Sequence, residues 1–461
     1  MKKTFLVGAL AVFAVETGAL FAQTNPAITS WLINTNGAKS RRYAAGSSTL
    51  INGTDSVNVQ KVMYSNDFVY IKTKCLPAYP TGPFLDGNTS TATNQNAIFK
   101  FPLNPVQNTG TPSATTGGNI GVFINGVALF DYRDGVAWNS TTNSICGGPP
   151  PTAPCPGGPA ATQNWNRDAI PAERQGFDCA KGHPAMGNYH HHQNPSAFRF
   201  DINVISNVCD LYSSDGLYTI DSNQHSPLLG FAYDGFPIYG AYGFRNADGT
   251  GGVARMKSAY HKRNITTRTT SPTGQTVSSG PAVSSTYYLG YFKEDYEFIA
   301  GSTPDVLDVH NGRFAVTPEY PGGTYAYYCT VDASWNSVYP YAVGPTFYGT
   351  TANRKVTSIT ESVTTYTPVV TETSGSILDK SSLVVFPNPA KDFAVVQAHG
   401  LNREEIQVEL LDLSGKLLQT HQIPQGSTFC LLDLQTLYAG YYNVRVRQGS
   451  KFRNMPLLIT E

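Results

Sequence analysis

The sequence predicts a mainly β protein in two folded parts, and three observations carry that prediction. The first is composition: 43 Gly, 30 Pro and 27 Tyr among 461 residues describe a chain rich in turns and in residues suited to pleated surfaces. The second is alternation, in short apolar runs separated by turn residues, which is the period of a half-buried strand. The third is a break in that pattern. A Thr-, Ser- and Val-rich stretch over 350–380 reads as a linker, after which alternation resumes to the end of the chain. The expected architecture is a large β-rich domain over 23–349 and a small Ig-like β-sandwich over 381–461.

The first 22 residues read as an export signal. Lys2 and Lys3 precede an apolar run from Phe5 to Val15, and the small Ala22 stands before Gln23 at a plausible cleavage point. No later stretch reaches the roughly 18 apolar residues that span a bilayer. From Trp31 to Val136 the runs Val57–Val62, Phe68–Ile71 and Gly121–Phe130 predict strands, with Asn125-Gly126 predicting a tight hairpin whose two central residues both have positive φ. Residues 139–176 read as loop. Strand-like segments follow at Phe198–Ile202, Leu228–Gly240, Tyr287–Phe298, Val306–Phe314 and Thr324–Tyr328, and Arg245–Thr286 reads as a solvated surface excursion. Within the linker, Val363–Val370 has the makings of an edge strand. Leu383–Phe386, Phe393–Gln397, Ile406–Asp412, Lys416–Thr420, Thr428–Asp433 and Tyr441–Arg447 are the strands of the second part.

Charge excludes one class of partner. Lys plus Arg equals Asp plus Glu at 32 each, and charged residues make up only 14%, so no basic footprint for nucleic acid or an anionic membrane is present. The seven cysteines suit an oxidising compartment, and their odd number leaves at least one unpaired. Cys146–Cys155, bracketing a Gly- and Pro-rich loop, is the first expected disulfide and Cys179–Cys209 the second. Cys430, in the apolar run Phe429–Leu432, is the expected leftover.

Chemistry concentrates in Tyr189-His190-His191-His192, which holds three of nine histidines. On a strand His190 and His192 share a face while His191 points the other way, and His183 can return across a Gly-containing turn as a third nitrogen donor. Asp234, Asp308 and His310 are candidates for an additional ligand or an outer partner, as is His225. Nitrogen-rich ligation favours zinc or copper over calcium or magnesium. The competing reading makes these histidines structural, with ring nitrogens satisfied by backbone carbonyls, and makes Asp234 the cap of an Asp-Gly turn. Nucleophile-elbow, zincin, phosphate-loop and Cys-x-x-Cys signatures are absent from the sequence, so no particular enzyme chemistry is indicated.

Two stretches resemble known families. His183-Pro184, Tyr189–His192, Leu229–Gly240 and Asp308–Glu319 together resemble the YHYH domain family of extracellular and surface proteins, over a motif core of 177–330. The family's second tyrosine is here His191, a departure on the face opposite His190 and His192, which makes His191 the least suited to ligation. Phe386-Pro387-Asn388-Pro389-Ala390, Leu410–Lys416 and Leu432–Leu434 with Gly440-Tyr441-Tyr442 are similar, in order, to type A C-terminal domains of the type IX secretion system. That resemblance implies a β-sandwich read by the type IX machinery of a Gram-negative bacterium, and a secreted or outer-membrane-attached product. For the large domain three functions stay open: a surface metal-binding protein, an adhesion or glycan-binding module presenting tyrosines such as Tyr325, Tyr327 and Tyr328, and a metal-dependent extracellular enzyme.

Overall fold

Among the described residues strand accounts for 41% and helix for 5%, so the protein is mainly β. The computed structural model describes residues 24–368 except 36, 88–89, 149–162, 199–207, 212–217, 219 and 352–354, and residues 383–460 except 399–405, 413–416, 424–426 and 449–450. The export signal over 1–22, Cys155 and residues 199–202 of the Phe198–Ile202 strand lie outside the described residues. The chain divides into two compact units, Met1–Thr367 and Pro368–Glu461.

The first unit is built on a mixed eight-stranded sheet: β1 (Asn119–Phe123), β2 (Ala128–Phe130), β3 (Gly182–Ala185), β4 (Asn188–His191), β5 (Leu228–Ala232), β6 (Pro237–Tyr239), β7 (Gly312–Ala315) and β8 (Thr324–Tyr328). Their order across the sheet is β3-β4-β2-β1-β5-β6-β8-β7. Two neighbours run parallel, β4 with β2 and β6 with β8; the rest are antiparallel. Such a sheet packs on both faces, and its strands carry nearly continuous buried runs: every residue of β5 and of β6 is buried.

A second, five-stranded antiparallel sheet contributes to the same core. It contains Val59–Tyr64, Phe68–Thr73 and Ala97–Pro102, flanked by Lys355–Val356 on one edge and Thr364–Tyr366 on the other. These two edge strands fall in the stretch read as a linker, and the second is the edge strand anticipated at Val363–Val370. Val62, Ile71, Phe99 and Phe101 from this sheet join Val122, Phe123, Leu129 and Phe231 from the eight-stranded one. Trp31 bridges them, with its ring 5.8 Å from Phe101 and 5.4 Å from Phe231. Burying a side chain of this size contributes about 2–3 kcal/mol each, which is the main force holding the layers together.

Local details correct several expectations. The Asn125-Gly126 hairpin joins β1 to β2, but only Gly126 enters the left-handed region, at φ 79°. Asn125 instead caps the turn, its Oδ1 accepting from the Val127 N–H at 3.1 Å. The stretch 139–176 is not all loop, because it contains strands Ser144–Gly147 and Asn166–Asp168 and the helix Ala169–Glu173. The Arg245–Thr286 stretch is not wholly solvated either. Arg268 is fully buried and forks onto Asp295, with Nε to Oδ1 at 2.7 Å and Nη2 to Oδ2 at 2.8 Å. A bidentate partner offsets the cost of taking both charges out of water.

Of the expected disulfides, Cys179–Cys209 is formed. Cys146 is disulfide-bonded, and its expected partner Cys155 is among the residues not described. Cys75, Cys329 and Cys430 are free.

The second unit is a β-sandwich. One sheet orders Leu383–Phe386, Phe393–Ala398 and Phe429–Asp433; the other orders Leu417–Ile423, Ile406–Leu411, Gly440–Gln448 and Lys451–Ile459. Both contribute to one core, through Leu383, Val396 and Leu432 from the first and Val408, Leu410, Val444, Val446 and Leu457 from the second. Alternation in the sequence is read directly in the burial of Ile406, Val408 and Leu410, with Gln407 and Glu409 only partly covered.

Candidate metal centre

The hairpin β3–β4 carries the histidines. Its two-residue turn, Met186-Gly187, has φ of 50° and 83°, both positive, which is the turn that matches the twist of adjoining strands. This turn sets a register in which His183 lies directly opposite His190, with Gly182 opposite His191. His192 follows β4 by one residue and, two positions from His190, returns to the same face. A ligand-capable atom from each of His183, His190 and His192 lies within 4.8 Å of the other two. All three side chains are buried, at 6%, 1% and 3% exposure.

Hydrogen bonds orient the rings. His190 Nδ1 lies 2.8 Å from the Asn188 carbonyl and His192 Nδ1 lies 2.6 Å from the Asp131 carbonyl. A carbonyl only accepts, so both Nδ1 atoms carry the proton and the neutral rings present an Nε2 lone pair. Those Nε2 atoms face each other: His192 to His190 at 3.1 Å and His192 to His183 at 3.4 Å. Phe130 stacks on His190 at 3.7 Å between centroids, and Phe177 meets the His183 ring edge-on at 4.8 Å. Lone pairs this close repel unless a cation lies between them, whether a proton or a metal.

The site contains one acid that sequence reasoning missed. Glu173 Oε2 lies 3.1 Å from His192 Nε2 and 3.3 Å from His183 Nε2. It sits on the last residue of helix Ala169–Glu173, which is capped by Asp168 through the Ile170 N–H at 3.0 Å and anchored where Asp168 Oδ2 accepts from the Tyr341 hydroxyl at 2.5 Å. The helix lies in the stretch read as loop, although Asp168 followed by Pro171 and Glu173 is a start signal that could have found it. Nothing local connects Glu173 to histidines ten and more residues away.

Electrostatics within the cluster follow from burial and proximity. Burial, with His183 and His192 nearby, holds His190 well below the usual imidazole range. For His192, burial acts downward but is outweighed by the Glu173 contact, which raises it. Burial opposes ionisation of Glu173, yet the contacts to His183 and His192 prevail and hold its carboxyl well below the usual range. The cluster therefore favours a cation beside Glu173.

His191 plays a different part. It points to the opposite face, where Nε2 is 2.9 Å from the Tyr79 hydroxyl, Nδ1 is 3.1 Å from the Lys181 carbonyl, and burial pushes it down to about 3. It is a neutral core residue with both nitrogens engaged. The other candidates are held elsewhere. Asp234 accepts from the Tyr327 hydroxyl at 2.5 Å and the Gly349 N–H at 2.8 Å, and caps its turn through the Phe236 N–H at 3.3 Å. Asp308 accepts from the Tyr325 hydroxyl at 2.9 Å and the His310 N–H at 2.9 Å. His310 Nδ1 contacts Thr346 Oγ1 at 2.7 Å, and His225 Nδ1 lies 2.8 Å from the Ser226 carbonyl. Tyr325, Tyr327 and Tyr328 are core residues, at 2%, 0% and 0% exposure.

The fold and site define a β-rich protein with a buried three-histidine cluster that can hold a metal, joined to a separate β-sandwich. The chain belongs to the YHYH protein family, whose match covers residues 98–339, more than half of its length. Residues 384–459 match a secretion system C-terminal sorting domain, which marks the protein for export to the cell surface or extracellular space of a Gram-negative bacterium. No curated protein matches the chain. Among the described residues, no helix is long and apolar enough to cross a membrane.

Proposed function

We propose that this chain is an exported metal-binding protein whose YHYH domain holds a transition-metal ion through His183, His190 and His192, and which leaves the cell through the type IX machinery by way of its C-terminal domain. The carrying observation is the convergence of the Nε2 atoms of His183, His190 and His192, with two of the rings oriented by backbone carbonyls on Nδ1. A second-sphere acceptor on Nδ1 is how proteins fix the tautomer of a ligating imidazole and raise its basicity. Nitrogen donors select zinc or copper from the divalent ions an exported protein meets. His191 is the contrast within the same hairpin, with each ring nitrogen on its own protein partner.

Elemental analysis of the purified full-length chain tests the reading. One zinc or copper per chain is expected, with nearly complete loss in a His190→Ala/His192→Ala variant. A double variant that keeps the full metal load would sink it.

A further inference from the structure

We infer that the first unit carries a second binding site, a cleft between Arg133, Lys293 and Trp165 that takes a small acidic sugar, a uronic acid whose carboxylate sits on the two cations. The site shares no residue with the histidine cluster and does not depend on it.

Three segments build the cleft. Strand Arg133–Asn139 pairs with Asn166–Asp168, with Ala137 opposite Asn166. The short helical turn Lys293–Asp295 is tied to the second strand where the Asn166 N–H and side-chain amide donate to Glu294 at 2.8 Å and 3.0 Å, and the buried Arg268–Asp295 pair pins its end. Between these segments lies a cavity of about 330 Å³, lined by Arg133, Trp165, Lys293 and Glu294, with the exposed Asn164 at its mouth. That is the small end of the range for organic ligands, room for one sugar ring and not for a chain.

The donors set the sign of the ligand. Arg133 gives Nε to Asp131 at 2.5 Å and Nη2 to the Thr115 carbonyl at 2.7 Å, which leaves Nη1 without a protein acceptor. Lys293 makes an ion pair of 3.4 Å with Glu294 Oε1 and no hydrogen bond among the described residues. Burial and the nearby Arg133 act to lower Lys293, and the contacts to Tyr132 and Glu294 outweigh them, so the ammonium stays charged beside a second cation. Both oxygens of Glu294 already accept from Asn166. A guanidinium beside an ammonium, each with a donor to spare, selects an oxyanion, and a carboxylate fits that pair.

The other walls suit a sugar. Trp165 is 1% exposed and fixed by its Nε1 on the Ser278 carbonyl at 2.7 Å, and with Val277 it offers an apolar surface to the C–H face of a ring. The Asn164 amide can both donate to and accept from ring hydroxyls.

Calorimetric titration of the full-length chain with sodium glucuronate, at fixed ionic strength and with glucose as the neutral control, tests the site. Saturable glucuronate binding is expected, with glucose weaker by about 10-fold or more, and chelation of metals is expected to leave it unchanged. Lys293→Met keeps the length of the side chain without its charge and is expected to weaken glucuronate binding by about 10- to 100-fold. Asn164→Asp, at an exposed position, adds a carboxylate at the mouth and is expected to weaken it as well, so the test stays decisive should Lys293→Met not fold. A wild-type chain that binds no glucuronate, binds glucose equally well or loses glucuronate on chelation overturns the site, as does wild-type affinity in either folded variant.

Discussion

At the scale of single residues, Asp234 shows how a side chain singled out as a possible ligand is turned to structure. Its carboxylate is fully buried and draws the Tyr327 hydroxyl and two backbone N–H groups, and burial nevertheless pushes it up to about 6. A carboxyl raised in the fold contributes stability that is present below its unfolded value near 3.9 and lost as pH rises through 6. The size is about 3 kcal/mol for a shift of this kind. Asp234→Asn removes that dependence. The melting-temperature gap between wild type and variant is therefore expected to narrow between about pH 4 and pH 6 and to level off above that, in scans at fixed ionic strength; a gap that stays constant across that range contradicts the assignment. His191 illustrates the converse case, because alternation along a strand was enough to separate it from its neighbours.

At the scale of elements, the β3–β4 hairpin is the device that makes a site from sequence neighbours. Its register depends on Gly187, whose φ of 83° favours glycine and where an added Cβ would stand 2.1 Å from Thr93 Oγ1. Gly187→Ala is expected to cost about 1–2 kcal/mol from the left-handed conformation alone, and to weaken metal binding by displacing His183 from His190. Paired thermal melts and chelator competition measure both effects; a variant equal to wild type in each would show that the turn does not set the site. The helix Ala169–Glu173 contributes from outside the sheet, and its placement relies on Asp168, which serves at once as its cap and as the acceptor of the Tyr341 hydroxyl. Edge strands Lys355–Val356 and Thr364–Tyr366 show how few residues a sheet needs to recruit a segment of weak pattern.

At the scale of the whole molecule, address and chemistry are carried by different units. The histidine cluster lies within the first unit and the sorting domain within the second. Deleting residues 383–461 is expected to stop the protein in the periplasm while leaving its metal content intact. Cell fractionation followed by metal analysis checks this, and a truncated chain found at the cell surface counts against sorting through the second unit.

The sequence by itself determined the fold class, the division into a large β-rich part and a C-terminal sandwich, the shared face of His190 and His192, and the family resemblances. These are local properties: strand period, turn chemistry and ordered motifs are written in consecutive residues. Tertiary structure alone decided that Glu173 meets the histidines, that Asp234, Asp308 and His310 are engaged elsewhere, that Arg268 is buried on Asp295, and that the tyrosines of β8 are core. Each of those depends on which distant segments are brought together by burying the two sheets against one core, and no spacing along the chain records that.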